Sequence, residues 1–321
     1  MRIYYLLFTL LASTSLWADE YEVVFSACYG NSQRAIIEGR IIEKRSHAAA
    51  EITDSWIKNT WRKLRQLIND EQADTLVKLE VNQQHFHKQT DDEGYFSFDI
   101  LLSPQLPAGF YPAKTFGNEN LSGFCRLLVI PQANTLAIIS DFDDTVIVSN
   151  VVDKKQLITN SLAKNYLQRD IVQGMPNAYR DLLKKHNPLP ELAPVIFVSG
   201  SPRQIQLSIE QFLDHYHFPT NMVLTKQIGG EQGDPLLNQQ KYKVDKIEKL
   251  FKFFSWMQFI LIGDDGEKDP ESYRLLQQRY PDRIHSIWIR KVSVDDQRLT
   301  YDGQHYFKDG LSLTKDLNND H

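Results

Sequence analysis

The stretch LAIISDFDDT, residues 136–145, decides the fold. Its first five residues, Leu136 to Ser140, are an apolar run rich in isoleucine, the right length for a strand buried on both faces and too short for a helix. Acids follow at once, with Asp141, Asp143 and Asp144 ahead of Thr145. The same construction recurs downstream. Val195 to Ser199 leads into Gly200-Ser201-Pro202, Phe259 to Gly263 leads into Asp264-Asp265-Gly266-Glu267-Lys268-Asp269, and Ile284 to Ile289 leads into Arg290. Helical patterns lie between them, at Gln204 to His215 and Lys243 to Phe254. Buried strands alternating with helices specify an α/β fold with a parallel sheet, and open sheets of that kind bind ligands at the carboxyl ends of their strands. The polar clusters sit at those ends.

Upstream the rhythm differs. From Tyr21 to Pro131 the runs are short and apolar or alternating: Val23 to Phe25, Ala35 to Ile42, Leu76 to Val81, and Phe96 to Ile100 after a turn at Asp91 to Gly94. This pattern predicts a smaller, β-rich, sandwich-like N-terminal domain. A helix is expected within it, where Ile57, Trp61, Leu64 and Ile68 recur at helical spacing behind an N-cap at Thr53 or Asp54. Pro131 to Asn134 marks the change of pattern.

The 321 residues suit two domains, and 42% apolar with 24% charged residues is an ordinary globular composition. A net charge of -5 lacks the basic excess that drives binding to nucleic-acid phosphates, so no nucleic-acid partner is expected. Arg2, the apolar run through Leu11 and Ala12, and Trp17-Ala18 before Asp19-Glu20 read as an export signal, residues 1–18. The run falls short of the ~20 apolar residues needed to cross a bilayer, so no transmembrane segment is expected after cleavage. The expected organisation is therefore a signal peptide at 1–18, a β-rich domain at 19–133, a catalytic domain at 134–300 and a tail at 301–321, in an exported protein that is periplasmic or secreted. In an oxidising compartment Cys28 and Cys125, the two cysteines of the chain, can close a disulfide; the alternative is a pair of buried thiols.

The strand-end clusters supply the parts that phosphomonoester cleavage requires: a nucleophile, an acid for the leaving alkoxide, and positive charge for the phosphoryl oxygens. Asp141 can attack phosphorus. Asp143 can protonate the leaving oxygen and later activate water. Thr145, Ser199, the Gly200 amide and Lys243 can contact the phosphate. Mg²⁺ takes hard oxygen ligands, for which Asp141, Asp143, Asp264 and Asp269 are candidates. Each cluster alone has a plainer reading, as a turn or a solvated loop.

Together, and in this order, D-x-D-x-T at 141–145, a strand-end Ser, a Lys and an acidic pair resemble the haloacid dehalogenase superfamily. More narrowly, Ser140 to Thr145, Gly263 to Tyr273 and Ile287 to Arg290 resemble the actin-patch type of phosphatidate phosphatase catalytic domain and its bacterial relatives, over about residues 134 to 295. The resemblance implies a Rossmann-like α/β domain, Mg²⁺ dependence and hydrolysis of phosphatidate. It places the nucleophile on Asp141, the acid/base on Asp143, the phosphate-contacting serine on Ser199, the lysine on Lys243, the metal acid on Asp264 and a supporting acid on Asp269. Two readings compete with a lipid phosphatase: the same residues would serve a soluble sugar or nucleotide phosphate, and acidic loops could hold Ca²⁺ in a recognition module without chemistry.

Other features carry alternatives. Lys243, Lys246, Lys249 and Lys252 read as a solvated face with one active-site lysine at its start, or as a contact for an anionic membrane. Phe251, Phe253, Phe254, Trp256 and Met257 read as core, with peripheral membrane contact as the alternative. His85 and His87 read as surface histidines. Val146 to Met175 is longer than a strand-to-helix connection needs and reads as a small cap or a plain excursion. Arg290 faces anionic substrate or pairs on the surface.

Overall fold

The computed structural model describes residues 21–43, 73–117, 121–148, 166–227, 234, 238–293 and 298–319. The expected signal peptide, the expected helix around residues 57–68 and most of the expected cap lie outside the described residues. Among the described residues no helix is long and apolar enough to cross a membrane.

The second half of the chain forms a six-stranded sheet. Its strands are β8 (Leu136–Ser140), β11 (Val195–Pro202), β12 (Asn221–Lys226), β13 (Gln258–Asp264), β14 (Ile284–Arg290) and β15 (Gln304–Phe307), while the short strands β9 (Ile147–Val148) and β10 (Asp170–Ile171) form a separate antiparallel pair. All five neighbouring pairs are parallel, in the order β12-β11-β8-β13-β14-β15. The chain thus winds outward from β8 in one direction, returns, and winds outward in the other. That is a doubly wound order, and it puts a switch point between β8 and β13, where open α/β sheets bind ligands.

The near-continuous apolar strands are explained by helices on both faces. On one face α1 (Met175–His186), α2 (Gln206–His215) and α5 (Gly310–Asn319) bury Tyr179, Leu182, Phe212 and Leu313 against Ile138, Phe197, Ile260 and Trp288. On the other, α3 (Gln239–Phe253) and α4 (Asp269–Arg279) bury Val244, Ile247, Leu250, Tyr273 and Leu276 against Ala137, Ile139, Val198, Leu261 and Ile289. Alternate residues of each strand serve alternate layers. Each such aliphatic or aromatic side chain contributes about 1.5–3 kcal/mol when fully buried. Phe251, Phe254 and Met257 belong to this second layer, as core.

Within the expected tail, residues 301–319 instead complete the domain. β15 pairs with β14, and α5 packs on α1, where Gly310 lies so close to the Gly174 backbone that an added Cβ would be 2.2 Å away. The strand is only four residues long, which hides it in the sequence. The helix start carries a reciprocal cap: Ser312 N–H donates to Asp309 Oδ1 at 2.9 Å, and Asp309 N–H donates to Ser312 Oγ at 3.0 Å.

The first half is a single seven-stranded sheet where two stacked sheets were expected. Its strands are β1 (Tyr21–Gly30), β2 (Arg34–Glu43), β3 (Leu76–Val81), β4 (Gln84–Gln89), β5 (Tyr95–Leu101), β6 (Gly109–Phe116) and β7 (Ser122–Val129). β1 joins everything, pairing antiparallel with β2 along its length and parallel with β7 at Tyr29 and Gly30. A register shift between Phe25 and Ala27 bends β1, as bulges do. The sheet curls round one core of Ile37, Leu79, Phe98 and Leu127, until the edge strands meet and Lys88 of β4 donates to the Ser97 carbonyl of β5 at 2.9 Å. Cys28 and Cys125 are bonded, with their Cα atoms 6.3 Å apart.

The two halves share a core. Ala27, Tyr29, Leu128 and Ile130 pack with the α3 layer, and the Tyr29 ring meets Phe253 edge-on at 5.2 Å. Polar ties add to this. Arg203 Nη2 donates to Glu38 Oε2 at 2.9 Å, and the Gln206 amide, at the start of α2, donates to the Ser26 carbonyl at 3.3 Å.

Candidate active site

The loop after β8 alternates its side chains between core and site. Phe142 is buried and stacks edge-on against Phe212 at 5.5 Å, which leaves Asp141 and Asp143 facing the strand ends. Asp144 turns the chain with a left-handed φ of 54°, a conformation Asp tolerates better than most residues. Asp141 is fixed by its own backbone, whose N–H donates to the Ile262 carbonyl of β13 at 2.8 Å.

Across the switch point, β13 ends on Asp264, and Asp269 opens α4. One oxygen from each of Asp141, Asp264 and Asp269 can be chosen so that all three lie within 4.8 Å of one another. Lys243, in the first half of α3, reaches them from below. Its Nζ lies 2.7 Å from Asp141 Oδ1, 2.5 Å from Asp269 Oδ1 and 3.6 Å from Glu267 Oε2. The amide of Gln239, one helical turn earlier on α3, donates to Glu267. Asp269 Oδ2 accepts the Asp264 N–H at 3.3 Å, and Asp264 Oδ1 accepts the Gly266 N–H at 2.7 Å.

These groups are almost wholly excluded from water: Asp141 and Lys243 are 2% exposed, Asp264 and Asp269 0%. Burial pushes the Asp141 carboxyl well above the usual carboxylate range; Lys243 opposes this, and Asp269 and Asp264 add to it. Asp264 is raised in the same way, by burial first and then by Asp269. Burial works to lower the Lys243 ammonium, yet Asp141, Asp269 and Glu267 together hold it well above its ordinary value. One cation facing three buried acids leaves negative charge to be balanced. A small divalent ion that prefers oxygen ligands fits this donor set, and Mg²⁺ is such an ion.

Two expected placements change. Asp143, a candidate metal ligand, is not in the acidic triad: its Oδ2 lies 3.4 Å from the hydroxyls of both Ser199 and Ser201, because it points across the loop toward β11. Burial raises its pKa, partly offset by Arg169. Thr145, expected on the phosphate, is fully buried, with its hydroxyl 3.5 Å from Asp141 Oδ2 and 3.4 Å from Asp264 Oδ2. In the lysine stripe, Lys243 at its start is buried in the site, Lys246 is turned to Asp234 at 3.3 Å, and Lys249 and Lys252 are exposed.

The remaining candidates are gathered at the same edge. Ser199 accepts the Ser201 N–H at 3.1 Å, and Gly200 abuts the Gln239 side chain, which a Cβ would approach to 2.8 Å. Arg290 donates from Nη1 to the Asp144 carbonyl at 2.5 Å, so it supports the loop after β8. Arg169 and Gln239 escape a sequence reading, and Ser201 and Glu267 stand within the quoted strand-end clusters without an assigned role. Gln239 left one trace, its spacing of four residues from Lys243; Arg169 left none.

Gly263 is where space is tightest. A Cβ there would sit 2.5 Å from Asp269 Oδ2 and 2.7 Å from its Cβ. Gly263→Ala is expected to displace Asp269 and to cost about 1–3 kcal/mol by overpacking, read as a lower midpoint in urea unfolding.

Residues 136–291 match the model of the family described as phosphatidate phosphatase APP1, catalytic domain. Phosphatidate phosphatase APP1 of Saccharomyces cerevisiae is 29% identical over 161 residues, which are 49% of this chain and 26% of the yeast protein. An uncharacterized protein of Schizosaccharomyces pombe is 23% identical over 242 residues, 68% of this chain and 38% of that protein. The chain therefore spans well under two thirds of these relatives. Among solved structures, a carbohydrate acetylesterase from Xanthomonas citri superposes with a TM-score of 0.31 at 11% identity, covering 83% of this chain and 58% of that one. Over residues 136–291 the chain is thus similar to the catalytic domain of the phosphatidate phosphatase APP1 family.

Proposed function

We propose that this protein hydrolyses a phosphomonoester through an aspartyl phosphate on Asp141, with Mg²⁺ as cofactor and phosphatidate or a related lipid phosphate as substrate. The convergence of Asp141, Lys243, Asp264 and Asp269 at the switch point of a parallel sheet carries the reading. It supports a Rossmann-like domain of haloacid dehalogenase type at residues 134–300, with β15 and α5 added to it.

In this mechanism an Asp141 carboxylate oxygen attacks phosphorus and the ester P–O bond breaks. The leaving alkoxide takes the proton of Asp143, whose raised pKa keeps that proton available. Asp143, now a carboxylate, removes a proton from water as the water oxygen attacks phosphorus; the bond to Asp141 breaks and inorganic phosphate leaves. Ser199, the Gly200 amide and Lys243 steady the phosphoryl oxygens. Asp141, Asp264 and Asp269 would hold Mg²⁺, which when bound offsets the repulsion between the anionic nucleophile and the anionic substrate.

A lipid substrate requires contact with a membrane surface. The outward side of β6 and β7 suits that role, with Phe110, Phe116 and Phe124 exposed and Arg126 lying 3.9 Å above the Phe110 ring. Lys114 stands opposite Phe124 and adds positive charge for anionic lipid. Export to the periplasm or beyond fits the disulfide, which persists in oxidising compartments.

The test is phosphate release with Mg²⁺, comparing phosphatidate in mixed micelles with soluble phosphomonoesters. Phosphatidate is expected to turn over fastest, and a chelator such as EDTA is expected to stop release until excess Mg²⁺ is restored. Turnover of soluble esters alone would keep the mechanism and move the substrate class. Tight Ca²⁺ binding without any turnover would leave a recognition module in its place.

A further inference from the structure

Between the curled sheet and the catalytic edge lies a cleft of about 270 Å³. Glu38, Lys88, Tyr95 and Ser97 line it from the first half of the chain, and Arg203 and Gln227 from the second. Arg203 follows Ser201 by two residues, and Ser201 touches Asp143. Two residues of extended chain span at most about 7 Å, so the cleft opens beside the proposed phosphoryl site. β12 confirms the placement, since Lys226, next to Gln227, pairs with Pro202 at the carboxyl end of β11.

Two hydrogen-bond donors in this wall have no partner among the described residues. Tyr95 is 6% exposed, and its hydroxyl is buried and unpaired. Arg203 uses Nη2 on Glu38, but its Nε–H is buried and unpaired. Leaving such groups without a partner costs about 1–3 kcal/mol each, so they mark a place where a ligand can supply acceptors. The Tyr95 ring is held firmly, with the Arg40 guanidinium 4.7 Å and the Arg203 guanidinium 5.5 Å from its centre.

Charge narrows the ligand. The acids Glu38, Asp74 and Asp91 are no fewer than the bases Lys88 and Arg203, so the cleft offers no excess of positive charge to a second phosphate. Its polar walls are equally unsuited to an acyl chain. We infer that this cleft binds the uncharged, oxygen-bearing backbone of the substrate alcohol, a glycerol-type unit whose hydroxyl or ester oxygens accept from Tyr95 Oη and Arg203 Nε. The assignment of that unit to the substrate rests on the phosphatase reading; the existence of the binding site does not.

The kinetic test compares kcat/KM for glycerol 3-phosphate and dihexanoyl phosphatidate with that for hexyl phosphate, which has the phosphate but no further oxygens. Tyr95→Phe removes one hydroxyl that no described residue uses, and Arg203→Lys keeps a cation for Glu38 while losing the Nε donor. Each is expected to lower the ratio of oxygenated ester to hexyl phosphate by roughly three- to tenfold, the effect of one lost hydrogen bond. A larger fall with dihexanoyl phosphatidate assigns the ester carbonyls, and a larger fall with glycerol 3-phosphate assigns the hydroxyls. Ratios unchanged in both variants would overturn the substrate assignment.

Binding is read separately, by saturation-transfer NMR on the full chain with glycerol and with triacetin. Transfer to at least one is expected, weakened in Tyr95→Phe. No transfer to either, or equal transfer in the variant, would overturn the site even if every ester were hydrolysed. Failure to hydrolyse any ester would instead sink the phosphatase reading, with the NMR result still deciding the cleft.

Discussion

Asp141→Asn is expected to lose phosphate release by at least about a thousandfold, because the amide cannot form the acyl phosphate on which both half-reactions depend. The substitution is nearly isosteric, and its side-chain oxygen can still accept from the Lys243 ammonium, which now lies 2.7 Å from Oδ1. Folding should survive. Burial and the neighbouring acids already disfavour a charge at this position, so a neutral amide removes repulsion from Asp264 and Asp269. The unfolding midpoint is expected to stay close to that of the parent or rise slightly, which separates chemistry from collapse. Activity within tenfold of the parent would remove Asp141 from the role of nucleophile.

The second large effect is on stability. Replacing Cys28 and Cys125 with serine opens a loop closed over a sequence separation of 97 residues. In the chain-entropy model that constraint stabilises the folded protein by about 4–5 kcal/mol. The bond ties β1 to β7, and β1 is the strand on which the rest of the first sheet depends. Urea titration of the double variant is expected to show the loss as a large fall in midpoint. A change below about 1 kcal/mol would mean that the open chain keeps β1 and β7 together by other contacts.

What could be read from the chain depended on distance along it. The strand-end acids were legible because each motif is contiguous: an apolar run sets the strand, and the residues that follow must emerge at its carboxyl end. Lys243 stood out by its order among those motifs. The disulfide was legible because two cysteines allow a single pairing. Periodicity, however, fixes which residues form a strand and not which strands meet. The parallel contact of β1 with β7 therefore could not be foreseen, and the first half came out as one curled sheet. For the same reason the cleft was hidden, since Tyr95 and Arg203 are brought together only when the two halves dock. That Asp143 stands apart from the acidic triad was not legible, because a D-x-D pattern shows two acids on one loop and cannot show that one of them turns toward Ser199 and Ser201.

The place of β15 bears on how the catalytic half comes into being. Synthesis runs from the amino end, and β14 is made before the strand that covers it. Until residues 304–319 have emerged, the hydrogen-bonding edge of Ile287 to Arg290 stands open, and the surface of α1 that receives α5 has no partner. An open edge of this kind invites pairing with another chain. A protein ended at residue 300 should therefore accumulate as aggregate even though it retains every residue proposed for catalysis.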